Sequence, residues 1–202
     1  GQGKSIKLLK EYKTSSSIGI LYSGITEWCG FKPNEDEYKV MALAGYGTTK
    51  FADFIKKNII QFNETTLDIT INSDFFNFED SGKGTIKDSF IEKFGTLENN
   101  KSILEQQDIL DCICSFQFTI ESIVISLINK LLFVHKDTSQ VFLSGGVFHN
   151  SKLVGEITRK INTKILVSPS PGDSGSSIGA GYFAMLCLDK KYTNKKNDNP
   201  FL

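Results

Sequence analysis

Apolar positions along the chain recur with two different periods, and the switches between them mark out elements. KSIKLLKEYK, residues 4–13, reads as a strand ending at the polar cluster Thr14 to Ser17. That cluster caps a helix from near Ile18, where Leu21, Tyr22, Ile25, Trp28 and Cys29 fall at helical spacing and Gly30 ends it. In FKPNEDEYK, Pro33 and Asn34 make an entry turn, and Glu35, Asp36 and Glu37 suit a helix first turn. VMALAGYG then runs into the loop Gly45–Tyr46–Gly47, residues 51–61 form an amphipathic helix, and LDITI is a short alternating strand. Residues 72–100 have weak periodicity and predict surface turns and short helices. The strongest pattern covers residues 106–136, where apolar residues dominate two faces of a long, largely buried helix. Gln117, Glu121 and Asn129 interrupt it, so no membrane-length run is expected.

The last third repeats one grammar. QVFLSGGVFHNSKLVGEITRKIN is strand, glycine turn, helix, and TKILVSPSPGDSGSSIGAGYFAMLCL is strand, turn, helix again. Two such units in succession predict parallel strands with right-handed crossovers, an α/β arrangement. After Leu188 the chain becomes a solvated tail, DKKYTNKKNDNPFL.

Composition narrows the class. The 202 residues carry 23 basic and 23 acidic side chains, mixed along the whole length. That argues against a nucleic-acid groove and an anionic-membrane patch, both of which need a basic stripe. The first residues lack the apolar block of a signal peptide, and Cys29, Cys112, Cys114 and Cys187 match neither a zinc pattern nor a disulfide scaffold. Reduced, mostly buried thiols and a cytoplasmic location are the expectation.

In open α/β sheets ligands bind beyond the carboxyl ends of parallel strands. Ser144–Gly145–Gly146 and Pro171–Gly172–Asp173 both fall there. Gly145 and Gly146 lack a Cβ, so a ligand can approach their backbone, and the following helix offers unpaired N–H donors. Asn150 stands where its amide reaches a ribose, phosphate or base edge, or where it caps the next helix. Asp173 suits a metal or a hydroxyl, or equally a helix N-cap. Lys39, between the carboxylates and the Gly45–Gly47 loop, suits a phosphate as a point charge or plain solvated surface. Together the two loops favour a phosphate-bearing or nucleotide ligand.

These segments resemble the NodU/CmcH family of O-carbamoyltransferases. The matching stretches are residues 18–47, IGILYSGITEWCGFKPNEDEYKVMALAGYG; residues 141–150, VFLSGGVFHN; and residues 167–184, VSPSPGDSGSSIGAGYFA. The family pattern runs LGxLYSxxTxxLGFKxNxxEYKxMGLAPYG, then LxGGVxxN, then PxPGDxGxxxGAA. The resemblance implies an α/β fold of the ribonuclease-H-like, actin-like ATPase (ASKHA) class, a mixed sheet flanked by helices. It implies carbamoyl transfer to a hydroxyl of a sugar or natural-product acceptor. The donor is carbamoyl-adenylate, made from carbamoyl phosphate and ATP by a YrdC-like domain in the same polypeptide. A divalent, iron-type metal sits in the cleft of the intact enzyme.

Residue by residue, Gly145, Gly146 and Asn150 match the nucleotide-contacting GGVxxN. Gly172 and Asp173 match PGD, whose aspartate looks like a metal ligand. Lys39, Gly45 and Gly47 match EYKxM and APYG, which look like the lining of the adenylate site. Gly45 departs from the proline of APYG, Phe148 and His149 replace Ala-Leu, and Ser176 and Ser177 replace small residues. The family's HxxxH metal pair has no counterpart, because the only histidines are His135 and His149. The chain is therefore expected to be a piece that does not turn over by itself. Residues 1–13 would be a first-lobe remnant, 14–188 the second lobe and 189–202 a linker. A phosphotransferase of the same fold class and a non-catalytic nucleotide-binding module are the alternative readings.

Overall fold

A computed structural model describes residues 6–78 and 85–188. Its centre is α5, Gln107–Val134, entered through a 3-10 turn at Ile103–Glu105 that carries a reciprocal Ser102–Glu105 capping box. Cys112, Phe116 and Ile120 of α5 are buried, and so are the polar Ser115, Gln117 and Thr119. By length and apolar content α5 meets the requirement for crossing a membrane, contrary to the expectation from its interrupting polar residues. Yet 83% of its most apolar window is buried inside the protein, and its buried polar side chains have partners. It is a core helix.

Helices pack around α5. α1, Ile18–Trp28, starts as expected at Ser17, whose Oγ accepts the Ile20 N–H at 3.3 Å. It buries Leu21 and Ile25, and Gly30 at φ +76° turns the chain away. α2, Glu37–Leu43, and α3, Ala52–Asn58, lie against α5.

The amphipathic helix expected through residue 61 stops at Asn58. Ile60–Asn63 is instead strand β1, paired antiparallel with β2, Asp68–Ile71, in the register Ile60↔Ile71 and Phe62↔Ile69. The competing signal is local. The Asn63 Oδ1 accepts the N–H groups of Thr65 and Thr66, and Leu67 sits at φ +60°, so a tight turn folds this stretch into a hairpin. Ile60, Ile69 and Ile71 face the core, while Gln61, Asp68 and Thr70 face out.

The described residues between 72 and 100 hold the expected turns and a short helix, but also contribute buried rings to the core. Phe76 of β3, Phe76–Asn77, and Phe90 of α4, Asp88–Phe94, are buried beside Phe116. β3 pairs with β4, Thr85–Ile86. Ring centroids lie 4.7 Å apart for Phe90–Phe94, 5.4 Å for Phe76–Phe90 and 5.8 Å for Phe90–Phe116. Two- and seven-residue elements are too short to display a period, so the inward direction of each ring does not show in the sequence.

The final third matches its expected grammar. β5, Gln140–Leu143, and β6, Lys164–Val167, run parallel, in register Val141↔Ile165 and Leu143↔Val167. α6, Ser151–Lys160, lies between them in sequence, and α7, Gly175–Cys187, follows β6. The single mixed sheet is not found: among the described residues the strands form three separate two-stranded sheets. Part of the reason lies at residues 6–13, which have no regular structure rather than forming the expected strand. Ile6 and Leu8 are 90% and 73% exposed, and the segment is tied to the β1–β2 turn by side chains. The Tyr12 hydroxyl donates to the Leu67 carbonyl at 2.6 Å, and the Lys10 ammonium to that of Thr66 at 3.0 Å. The tail expected to be a linker lies outside the described residues.

Candidate functional site

The parallel pairing of β5 and β6 brings the two glycine-bearing turns together. The Ser168 N–H extends the ladder to the Leu143 carbonyl at 3.0 Å. One residue further on the chain cannot stay extended, because Gly145 takes φ +115° and ψ 148°. That region is open essentially to glycine alone. In it, the Gly145 N–H donates to the Pro171 carbonyl at 2.6 Å, joining the turn after β5 to the turn after β6. A 3-10 turn, Gly146–His149, then leads into α6. A Cβ placed on Gly145 or on Gly146 would meet nothing within 4 Å, so the backbone here borders open space. Gly172 faces the exposed His149, its Cβ position 2.9 Å from the His149 Nε2.

Asn150 is the N-cap of α6, its Oδ1 accepting the Leu153 N–H at 2.9 Å. The same amide makes a second, buried attachment, because its Nδ2 donates to the Gln117 Oε1 of α5 at 2.9 Å. The Tyr22 hydroxyl of α1 donates to that Oε1 as well, at 2.9 Å. Burial pushes the Tyr22 phenol well up, so it stays a neutral donor.

The segment from Lys39 to Gly47, expected to line the adenylate site, is engaged in contacts within the protein. The Lys39 ammonium pairs with Asp36 at 2.8 Å and lies 5.4 Å from the Phe31 ring centroid. Gly47 is needed for packing: a Cβ there would lie 2.0 Å from the Leu110 carbonyl oxygen of α5. Gly45 is near its own helix, 3.2 Å from the Ala42 carbonyl by the same measure. What holds this loop is Asp111, whose Oδ1 accepts the Thr48 N–H at 2.7 Å and the Gln107 amide at 2.8 Å. Burial raises the Asp111 carboxyl, but the Thr48 N–H and the Gln107 amide outweigh it and leave it below the ordinary carboxylate range. Ser115 adds a bond from the Phe51 N–H at 3.0 Å.

Asp173 lies exposed ahead of α7, and no hydrogen bond ties its carboxylate among the described residues; only its backbone carbonyl is engaged, by Ser176. No group of three or more His, Cys, Asp or Glu side chains able to hold a metal occurs among the described residues. The iron-type metal implied by the sequence resemblance therefore does not fit the residues present here, since one aspartate supplies too few ligands.

Against this geometry, a family model described as "Carbamoyltransferase N-terminus" matches residues 1–182. The chain belongs to this carbamoyltransferase family. It is 32% identical over 181 residues to an uncharacterized protein of Synechocystis sp., covering 89% of this chain and 29% of that protein. An uncharacterized protein of Methanocaldococcus jannaschii is 31% identical over 176 residues, covering 87% of the chain and 31% of the relative. The nodulation protein NolNO of Sinorhizobium fredii is 28% identical over 191 residues, covering 89% and 24%. The chain thus spans between 24% and 31% of the length of these relatives.

Within this carbamoyltransferase-family chain, the residues that organise the candidate site from behind were not identified from the sequence. Gln117 and Glu121 registered there only as interruptions of an apolar helix, and Asp111 and Ser115 not at all. The available signal was their one-face spacing on α5, four residues apart in each pair, in a helix otherwise too apolar to tolerate unpaired polar groups.

Proposed function

We propose that this carbamoyltransferase-family chain is part of an O-carbamoyltransferase with an actin-like fold, and that the joined turns at Gly145–Gly146 and Pro171–Gly172 cradle the phosphate of carbamoyl-adenylate. The observation that carries the reading is the Gly145-to-Pro171 bond at the carboxyl ends of two parallel strands, with open space over both Gly145 and Gly146. Backbone N–H groups at such a turn, followed by the amino-terminal end of α6, favour an anionic ligand.

In the reaction, the acceptor hydroxyl oxygen bonds to the carbamoyl carbon while the bond from that carbon to the adenylate phosphate oxygen breaks. The hydroxyl proton is released and AMP departs. What this chain contributes is the grip on the leaving phosphate, where fixed N–H donors stabilise the developing charge without reorganising. Lys39, Gly45 and Gly47 contribute indirectly, through the packing of the loop beside the site. The acceptor, the YrdC-like domain that makes the adenylate from ATP and carbamoyl phosphate, and an iron-type metal held by residues elsewhere complete the proposal. The chain by itself does not turn over.

Titration with a non-hydrolysable ATP analogue tests this reading. Saturable binding lost in the Gly146→Ala variant is expected. Equal binding by wild type and variant, or carbamoyl transfer by the isolated chain, overturns it.

A further inference from the structure

Gln117 is fully buried at the middle of α5, and every hydrogen-bonding position of its amide is used. Its Oε1 accepts from the Tyr22 hydroxyl and from the Asn150 Nδ2, each at 2.9 Å. Its Nε2 donates to the Glu121 Oε1 at 2.7 Å and to the Asn150 Oδ1 at 3.2 Å. Four bonds are all that a primary amide of this kind normally makes.

The two amides face each other as a reciprocal pair, and neither is able to turn over. The Glu121 Oε1 takes the Gln117 Nε2 as its donor, so the NH2 end of Gln117 faces it. At the other side, the Leu153 N–H is a donor only and requires the Asn150 oxygen. One end is set by a carboxylate that is 5% exposed and the other by a helix backbone. A flip of either amide would bring acceptor to acceptor inside the core, where unpaired polar groups are most costly.

We infer that Gln117, oriented by Glu121, is the positioning residue for the ligand cradle: it clamps Asn150, the exit of the Gly145–Asn150 turn, to the central helix. The clamp acts through Asn150 and touches no ligand. Its job is to hold the Gly145 backbone and the Gly146 N–H at one setting relative to the turn after β6. The inference deepens the nucleotide reading above and depends on it for the identity of its ligand.

The test uses the Gln117→Leu variant and the exchange variant Gln117→Glu with Glu121→Gln. The exchange keeps volume, charge and the bond between positions 117 and 121. It also keeps acceptors for Tyr22 and for the Asn150 Nδ2. It places a carboxylate oxygen against the Asn150 Oδ1, so only the clamp is spoiled. Hydrogen exchange of the Asn150 side-chain amide is measured by NMR in the free chain, and the affinity for a non-hydrolysable ATP analogue by calorimetry. Both variants are expected to bind the analogue about tenfold more weakly, the equivalent of one lost hydrogen bond, and Gln117→Leu, which removes the acceptor of the Asn150 Nδ2, to lose the protection of the Asn150 amide as well. The exchange variant is expected to recover thermal stability relative to Gln117→Leu without recovering affinity.

Unchanged Asn150 protection in Gln117→Leu, unchanged affinity in a folded variant, or an exchange variant that regains affinity along with stability overturns the inference. Should Gln117→Leu fail to fold, the exchange variant decides alone. Absence of analogue binding by wild type would count against the nucleotide reading, while the protection of the Asn150 amide would still judge the clamp.

Discussion

The backbone N–H of Gly145 donates to the carbonyl oxygen of Pro171 at 2.6 Å, so the turns after β5 and β6 form one structure. A ligand held by one turn is thereby held against the other. Neighbouring glycines then have separable duties, because Gly145 satisfies a backbone demand and Gly146 leaves space.

Alanine at these two positions is expected to give opposite results. Gly145→Ala forces a Cβ into φ +115° and costs about 1–3 kcal/mol of stability. Gly146→Ala lies outside the positive-φ set and meets no neighbour, so its stability stays within about 0.5 kcal/mol of wild type. Denaturant melts combined with analogue titration check the pair, since only Gly146→Ala should lose affinity while keeping its midpoint.

Gly47→Ala should destabilise without a specific effect on the ligand. Its Cβ would press on the Leu110 carbonyl from 2.0 Å, and relief requires α2 and α5 to part, an overpacking cost of about 1–3 kcal/mol or more. A lowered melting temperature with unchanged affinity in the folded protein is the expected outcome.

Asp111 carries a pH dependence whose sign follows from its partners. Its folded carboxyl lies below the ordinary value, so its contribution is present above the unfolded value of about 3.9 and is lost as pH falls through the folded one. Asp111→Asn should therefore be less stable than wild type at neutral pH, with the gap closing in acid. Urea melts across that range measure it, and a gap that widens toward low pH would contradict the assignment.

The thiols of Cys29 and Cys112 should be silent in the native state. Burial pushes Cys29 up to about 12 and raises Cys112 well above its usual value. Against a free thiol near 8.5, the thiolate fraction of Cys29 is lower by more than about a thousandfold. Iodoacetamide followed by peptide mass spectrometry should label both only after denaturation, and rapid native labelling would show the packing around α1 and α5 to be wrong.

Legibility varied with element length. α5 and α1 were readable because 28 and 11 residues give a helical period room to repeat. The β5–turn–α6 and β6–turn–α7 units were readable because apolar runs, glycine turns and helical stretches alternate in a fixed order. Strand β1 was lost to a longer helical pattern that runs across Ile59 and Ile60, although its partner β2 was legible in LDITI. The aromatic core around Phe76 and Phe90 was invisible because its rings come from elements of two and seven residues. In the candidate site, the glycine turns at the ends of β5 and β6 were legible in the sequence, whereas the pairing of Lys39 with Asp36 and the contact of Gly47 with Leu110 were not.

The sequence by itself determined the family, through three ordered motifs, and the local chemistry of the turns: where the backbone must bend, and where a Cβ is missing. Which turns meet, which polar side chains stand behind them, and whether a glycine serves space or packing were decided only by the tertiary structure. Periodicity and turn chemistry act within a few residues and are written in the order of the chain. The Gly145–Pro171 bond, the Asn150–Gln117–Glu121 clamp and the contact of Gly47 with α5 join residues distant in sequence, and exist only once the core has packed.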